Sequence, residues 1–158
     1  MIALDSVFPI LKPCQWASEA GQSALMIESL PKQDDKNVLN APVLAFCSDR
    51  GESVSIIQST DLTPEVTLQR VERAALQNLE YALSDIGWDE VDMDEHVPGM
   101  RVLVLGGNFY ASEAILLPAR MMQAHRRMGA RRLLACVPSR GRLLVTNAAD
   151  ESSDQVGV

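Results

Sequence analysis

The strongest constraint on the fold is a short apolar run that ends in two glycines. Residues 102–105 are all apolar, and Gly106 and Gly107 follow directly. A short apolar run that stops at glycines is typical of a buried strand. Beyond the glycines, residues 110–117 place successive side chains on alternate faces, which predicts a second strand. We therefore predict strand 101–106, a glycine turn and strand 110–117, which together make a β-hairpin.

A helix is predicted directly after this hairpin. Pro118 is excluded from helix interiors but suits a first helical position, and Gly129 suits the position that ends a helix. The alternative is one helix over residues 112–128 that is kinked at Pro118, because a short apolar run can belong to either structure.

The remaining segments give a mixture of strands and one long helix. Thr63, Pro64 and Glu65 form a helix start, and an apolar stripe at helical spacing continues to Gly87. Turn-forming residues separate apolar flanks in two further places, which predicts two more hairpins. The predicted elements are a short helical turn at 16–22, strands 24–30, 42–47 and 53–58, a helix over 64–86, an acidic solvated loop at 88–99, and strands 131–137 and 142–147.

This order predicts an α+β fold with a mainly antiparallel sheet built from β-hairpins, one long helix and one short helix. With the helical turn first, the order is (α)-β-β-β-α-β-β-α-β-β. A chain of 158 residues is the size of one domain. We expect a single domain over residues 1–150 and a flexible tail over residues 151–158, which are small and polar.

The composition limits which cellular compartment and which kinds of binding site can be expected. No apolar run approaches the roughly 20 residues of a membrane helix, and the N-terminus lacks the basic start of a signal peptide. Cys14, Cys47 and Cys136 are isolated, as free thiols of a cytoplasmic protein are. His96 and His125 lie far apart and no metal-ligand spacing occurs, so we expect neither a metal nor a cofactor. Aromatic residues make up 4% of the chain, too few for a nucleic-acid stacking platform.

Charge is divided unevenly along the chain. Residues 1–100 carry 6 basic and 17 acidic residues, whereas residues 101–158 carry 8 basic and 4 acidic residues. No acid occurs from residue 114 to residue 149, a segment that contains seven arginines. One hypothesis is a site for an anionic ligand or an acidic partner. It would be formed by Arg126, Arg131, Arg140 and Arg142. The alternative is that these arginines neutralise the acidic run 85–95 within the chain or across a dimer.

Several short motifs resemble the YtpQ-like family of uncharacterised bacterial proteins. They are GGNFYAS at 106–112 followed by ILL at 115–117, ALQNL at 75–79, CVPSR at 136–140 followed by LLV at 143–145, and the hairpin region 44–62. They occur in the order of that family and span about residues 42–150. The resemblance singles out Asn78, Gly106, Gly107, Tyr110, Ser112, Pro138 and Arg140.

Two features depart from the family pattern. Members of the family are longer at the N-terminus, and the acid that they carry after the arginine is Gly141 here. A polar role of that acid is therefore not expected here, and Arg140 lacks the acidic neighbour that it has in the family. The family has no established activity, so the resemblance bears on the fold and not on the function.

No recognisable catalytic set is present. Ser112 is not in a nucleophile elbow and has no histidine near it in sequence, and the paired glycines lack the lysine and serine of a phosphate loop. The order of elements looks like that of the dimeric secretion chaperones. We expect a non-catalytic interaction module that forms a homodimer and binds a peptide or an acidic protein. The alternative is a small-molecule enzyme, or an anionic-ligand domain that uses the arginine-rich C-terminal third.

Overall fold

The chain forms two antiparallel sheets of four strands each. The structure is a computed structural model. It describes residues 2–20, 23–27, 42–93, 97 and 100–148. The chain divides into two compact units, Met1–Ser84 and Asp85–Val158, and each contains one of the sheets. The predicted α+β class with antiparallel pairing is confirmed. The predicted C-terminal tail lies outside the described residues, and the domain boundary at residue 150 stays a prediction.

The first unit is organised around one central strand. Strand β3 pairs with β1 over residues Val43–Ser48 on one side, so β2 and β4 both pair with its other side. A core of six buried side chains lies between this sheet and α2: Val7, Leu25, Phe46, Ile57, Val71 and Ala75. The elements are β1 (Val7–Lys12), α1 (Cys14–Ala20), β2 (Met26–Ile27), β3 (Val43–Asp49), β4 (Val54–Ile56) and α2 (Leu68–Ala82), with 3₁₀ segments at Leu4–Ser6 and Ser59–Asp61.

The long helix is shorter than predicted at both ends. The Thr67 hydroxyl caps α2 by accepting a hydrogen bond from the backbone N–H of Arg70. Thr63, the predicted cap, instead closes the preceding turn, where its hydroxyl accepts from the N–H of Val66. Either threonine satisfies the chemistry of an N-cap, so the sequence alone does not decide between them. The helix ends at Ala82, four residues before the predicted end.

The second unit has the strand order β5-β6-β8-β7. A helical layer of one 3₁₀ segment and α3 contacts β6 and β8 on one face of the sheet. The side chains of Leu103, Leu105, Leu143 and Val145 are fully buried there. The elements are β5 (Asp89–Asp92), β6 (Arg101–Leu105), the 3₁₀ segment Ala111–Leu116, α3 (Pro118–Met128), β7 (Leu133–Ser139) and β8 (Arg142–Asn147).

The predicted central hairpin is wrong in its second half. Strand β6 is present, but Ala111–Leu116 is a 3₁₀ helix and β6 pairs with β5 and β8. The alternative, a helix kinked at Pro118, is nearer to the structure. Leu117 is extended (φ −99°, ψ 105°) and divides the 3₁₀ segment from α3. The proline ring excludes the residue before it from the α region, so the helix cannot continue through Leu117.

Two strands were missed for physical reasons. Strand β1 contains Pro9, which cannot donate to a ladder. In the part of the chain that the structure describes, β1 pairs only with β3 and so lies at a sheet edge, where proline is tolerated. Strand β5 lies within the acidic segment predicted as a loop, and all four of its residues are exposed. The two hairpins at 42–58 and 131–147 and the helix at Pro118 are confirmed. None of the helices in the described part of the chain could cross a membrane.

Candidate functional site

Within the described residues of the second unit, one face of the sheet has no helical cover, and that face is mostly apolar. Side chains alternate along each strand, so the neighbours of the four buried core residues point the other way. In one row across the sheet, Val91 pairs with Val102, Val102 with Thr146, and Thr146 with Leu134. We call this surface the open face; its members are Val91, Val102, Val104, Leu134, Cys136, Leu144 and Thr146, with Asp89, which pairs with Val104, and Arg142 at its margins.

A groove runs along the open face beside strand β7. Its volume is about 270 Å³, and Val102, Leu134, Cys136 and Leu144 are among its lining residues. The side chain of Leu134 is 58% exposed, and Cys136 is exposed beside it. A large apolar side chain that is exposed next to an apolar groove is typical of a surface that binds another molecule.

Strand β7 forms one edge of the sheet and is exposed along nearly its whole length. Among the described residues it pairs only with β8, and Leu134 and Val137 are 58% and 40% exposed. The backbone N–H of Ala148 donates to the carbonyl of Arg132, which identifies this facing pair as a hydrogen-bonded one. Hydrogen-bonded and non-hydrogen-bonded pairs alternate in an antiparallel ladder. The N–H and C=O groups of Leu133 and Ala135 therefore point away from β8, towards solvent.

The far end of β7 is protected against pairing. The register with β8 shifts between Cys136 and Ser139, and Pro138 lies within the shift. Proline and irregular register are the usual devices by which proteins prevent an edge strand from pairing. Residues 133–137 contain no proline, and the regular register runs from Leu133 to Cys136. About five residues of β7, with Val137 at the start of the shift, therefore remain available as a template for another strand.

The four arginines predicted to converge do not do so. Arg131 precedes β7, whereas Arg140 and Arg142 lie at the turn between β7 and β8. The six steps from the first to the last residue of β7 span about 20 Å, so the two groups lie at opposite ends of the hairpin. The fourth, Arg126, is exposed on α3. The guanidinium of Arg140 lies over the ring of Phe109, 4.8 Å from its centroid. A ligand-binding role for each arginine stays a prediction.

The acidic segment neutralises a different arginine. Glu90 forms an ion pair with Arg101, whose Nε lies 2.6 Å from Oε1 of the glutamate. The hydrogen bond from Arg101 lowers the pKa of Glu90, and the positive charges of Arg101 and Arg127 act in the same direction. Arg127 and Arg120 instead donate to backbone carbonyl oxygens of this region, those of Trp88 and Ile86. Arg101 lies outside the arginine-rich segment, so this ion pair does not test the alternative of mutual neutralisation, which stays a prediction.

Two of the motifs that carry the family resemblance are brought together. The backbone N–H of Gly141 donates to the hydroxyl of Ser112 over 3.2 Å, and this hydroxyl donates to Oε2 of Glu113 over 2.6 Å. Ser112 and Glu113 are both buried, each 2% exposed. Asn108 accepts from the N–H of Tyr110 and so forms the turn that leads into the 3₁₀ segment. Ser112 thus fastens the loop after β6 to the turn between β7 and β8.

A serine nucleophile is not assembled around Ser112. Its hydroxyl contacts Glu113 and Gly141 and is shielded from solvent. His125 is exposed on α3, and its Nε2 lies 3.4 Å from the carbonyl oxygen of Arg131. His96 lies outside the described residues. A catalytic serine needs a base within hydrogen-bonding reach and access to substrate. The Glu113 carboxylate is within reach of Ser112, but the serine is only 2% exposed and so lacks that access.

The remaining family-motif residue, Asn78, holds the start of the chain against α2. Its amide donates to the carbonyl oxygens of Leu4 and Val7 over 2.8 and 2.9 Å. These carbonyls lie on the 3₁₀ segment Leu4–Ser6 and at the start of β1. Asn78 therefore supplies two long-range hydrogen bonds that a helix surface residue does not usually make.

Replacing Asn78 with alanine is expected to lower the free energy of unfolding by about 2 kcal/mol, because two partly buried carbonyls lose their donor. Urea denaturation followed by circular dichroism measures this loss. The matched control is Gln77→Ala, the exposed neighbour on the same helix, for which a change within about 0.5 kcal/mol is expected. Equal losses in the two variants would contradict the role assigned to Asn78.

Comparisons with known proteins add no assignment: no family model, no curated protein and no solved structure matches this chain. The resemblance to the YtpQ-like family therefore stays a prediction. In the described part of the chain, no group of three or more histidine, cysteine, aspartate or glutamate side chains is placed to hold a metal ion.

Proposed function

We propose that this protein is a non-catalytic interaction module of the bacterial cytoplasm, which binds a polypeptide partner through its second sheet and self-associates. The observation that carries the proposal is the exposed apolar edge strand β7. Leu133–Val137 combines outward-pointing backbone groups with apolar side chains that border the groove of the open face. Soluble proteins usually protect such an edge, so an unprotected stretch favours a binding role.

The mode of binding that fits this edge is the addition of a strand. A partner segment in extended conformation would pair with the outward N–H and C=O groups of Leu133 and Ala135. Its alternate side chains would continue the rows of the open face, next to Leu134 and Cys136. The main-chain hydrogen bonds give affinity for any extended segment, and the apolar row selects among sequences.

Self-association is the second part of the proposal, and the open face supports it. Four strands about 4.8 Å apart, each about five residues long, give roughly 300 Å² per copy. A stable interface buries about 800 Å² per partner. Two open faces packed together therefore form a weak contact, so we expect monomer at low micromolar concentration and dimer only well above it. Light scattering over a concentration series measures this, and a dimer that persists at nanomolar concentration would require another interface.

The two alternatives lack comparable support. An enzyme that uses Ser112 would need its hydroxyl exposed and paired with a base, and the hydroxyl is buried against Glu113 and Gly141. A single anionic-ligand site would need its arginines together, and the length of β7 separates Arg131 from Arg140.

The experiment that tests strand addition is a peptide-library selection on the wild-type protein, followed by binding to Ala135→Pro. The ladder pattern leaves the N–H of Ala135 unused by β8, so proline there removes an outward donor and keeps the hairpin. Selected peptides are expected to bind the variant about tenfold more weakly. The control is Met122→Lys, on the exposed surface of α3, which should bind like the wild type. Undiminished binding to a folded Ala135→Pro would overturn the proposal.

A further inference from the structure

Arginine side chains lie at both ends of β7. Arg131 and Arg132 directly precede the strand, Arg140 directly follows it, and Arg142 pairs with its last residue, Ser139. All four side chains are exposed. Among the described residues none of the four forms an ion pair, and the sequence holds no acid from residue 114 to residue 149. An apolar edge strand is thus flanked on each side by two arginines whose charge the hairpin itself does not balance.

From this arrangement we infer the chemistry of the partner: an extended segment of about five residues, apolar at alternate positions, with carboxylates on both sides. The inference rests on the proposed function and specifies its ligand. The part of β7 that can pair is Leu133–Val137, and the arginine groups stand about one to three residues beyond it at each end. Acids placed just outside a five-residue apolar stretch would therefore meet arginines at both ends.

The charges would fix the register of the partner. A shift of two residues along β7 keeps the same side chains on the open face, so the apolar row alone does not distinguish such registers. The same shift moves a carboxylate about 7 Å away from the arginines at one end. Because both ends of β7 carry the same charge, an acid-flanked segment satisfies them in either chain direction.

The same charges argue against a second copy of β7 as the occupant. Antiparallel pairing of two β7 strands about a two-fold axis would bring Arg131 and Arg132 of one copy beside Arg140 and Arg142 of the other. Like charges placed next to each other across an interface oppose association. Charge complementarity therefore favours an acidic partner segment at the β7 edge. Self-association would use the open face instead.

The test uses three synthetic peptides with a common core, Val-Thr-Val-Thr-Val, flanked on each side by two glutamates, two glutamines or two lysines. Affinity is measured by fluorescence anisotropy at low and at high salt. Occupation of β7 is measured by the rate at which iodoacetamide alkylates Cys136, which is exposed in the middle of the strand. Trypsin releases Cys136 within residues 133–140, a peptide without another cysteine, so mass spectrometry reads this site alone.

The glutamate peptide is expected to bind about tenfold more tightly than the glutamine peptide at low salt, and the lysine peptide more weakly than either. High salt should reduce this preference, because exposed charges are screened. The double variant Arg131→Gln/Arg140→Gln should lose most of the preference and bind the glutamine peptide as the wild type does. Arg73→Gln, an exposed arginine of α2 in the first unit, is the control and should keep the preference.

The outcomes separate this inference from the proposed function. If all three peptides protect Cys136 and bind with equal affinity, β7 binds extended segments whether or not acids flank them. The inference is then wrong, while the proposed function stands. If no peptide protects Cys136, both fail. If Cys136 becomes protected without peptide as the protein concentration rises, a second copy occupies the edge, which also overturns the acidic partner.

Discussion

Replacing Gly141 with alanine is expected to destabilise the second unit by about 3 kcal/mol, from left-handed strain and steric overlap together. Gly141 has φ +74°, a conformation that residues with a side chain rarely adopt. A Cβ atom there would also lie 2.9 Å from the backbone oxygen of Asn108. The backbone of Asn108 cannot yield cheaply, because the same residue forms the turn that leads to Tyr110.

The matched control is Gly107→Ala. Gly107 has nearly the same φ, +84°, but no atom lies within 4 Å of the position of its missing Cβ. Alanine there should cost only the conformational part, about 1 kcal/mol. The two losses of unfolding free energy are measured by chemical denaturation. Their difference reports the cost of placing a Cβ atom at position 141 against the backbone oxygen of Asn108. Equal losses would mean that the loop moves to accommodate the new methyl group.

The same geometry accounts for a departure from the family pattern. An acid at position 141 would have to place its Cβ against the Asn108 oxygen and would bring a carboxylate towards a carbonyl. The glycine found there also lets its N–H reach the buried hydroxyl of Ser112. The glycine and the loop therefore form one structural unit in this chain.

Local signals predicted the elements whose ends are fixed by local chemistry. Pro118 and Gly129 mark the two ends of α3, and turn residues define the hairpin of β7 and β8. The failures occur where long-range packing overrides the local pattern. Residues 110–117 follow an apolar strand and two glycines, as the second strand of a hairpin would, but Ala111–Ala114 are all buried in a 3₁₀ segment that covers the sheet. Strand β5 is held by its pairing with β6, which its acidic sequence does not indicate.

The candidate site could be found only in part from the sequence. The apolar segment at 133–137 and the arginines around it are visible there, and so is the absence of acids. What the sequence does not reveal is that β7 is an edge strand, because this depends on β6 pairing with β8, about 40 residues away along the chain. A sequence signal for the edge does exist: an apolar strand that ends in Pro138 cannot be paired on both sides along its whole length.

The second large effect is expected in the first unit, at Phe46. Its side chain is fully buried in the core between the sheet and α2. Its backbone also joins three segments, since its N–H donates to the carbonyl of Leu25 and its carbonyl accepts from the N–H of Ile57. Phe46→Ala keeps these backbone bonds and removes the ring, so the loss reports on packing alone. The expected destabilisation is about 4 kcal/mol.

Phe46→Leu and Tyr81→Ala complete the test. Leucine fills most of the space of the ring, so the loss should fall to about 1.5 kcal/mol. Tyr81 is an exposed aromatic residue on α2, 84% accessible, and its truncation should change stability by less than about 0.5 kcal/mol. Hydrogen exchange of the amides of α2 assigns the loss to the first unit. Because a domain of this size is stable by only about 5–15 kcal/mol, Phe46→Ala should speed exchange throughout α2. Exchange in α2 that stays at the wild-type rate would contradict the position of Phe46 in this core.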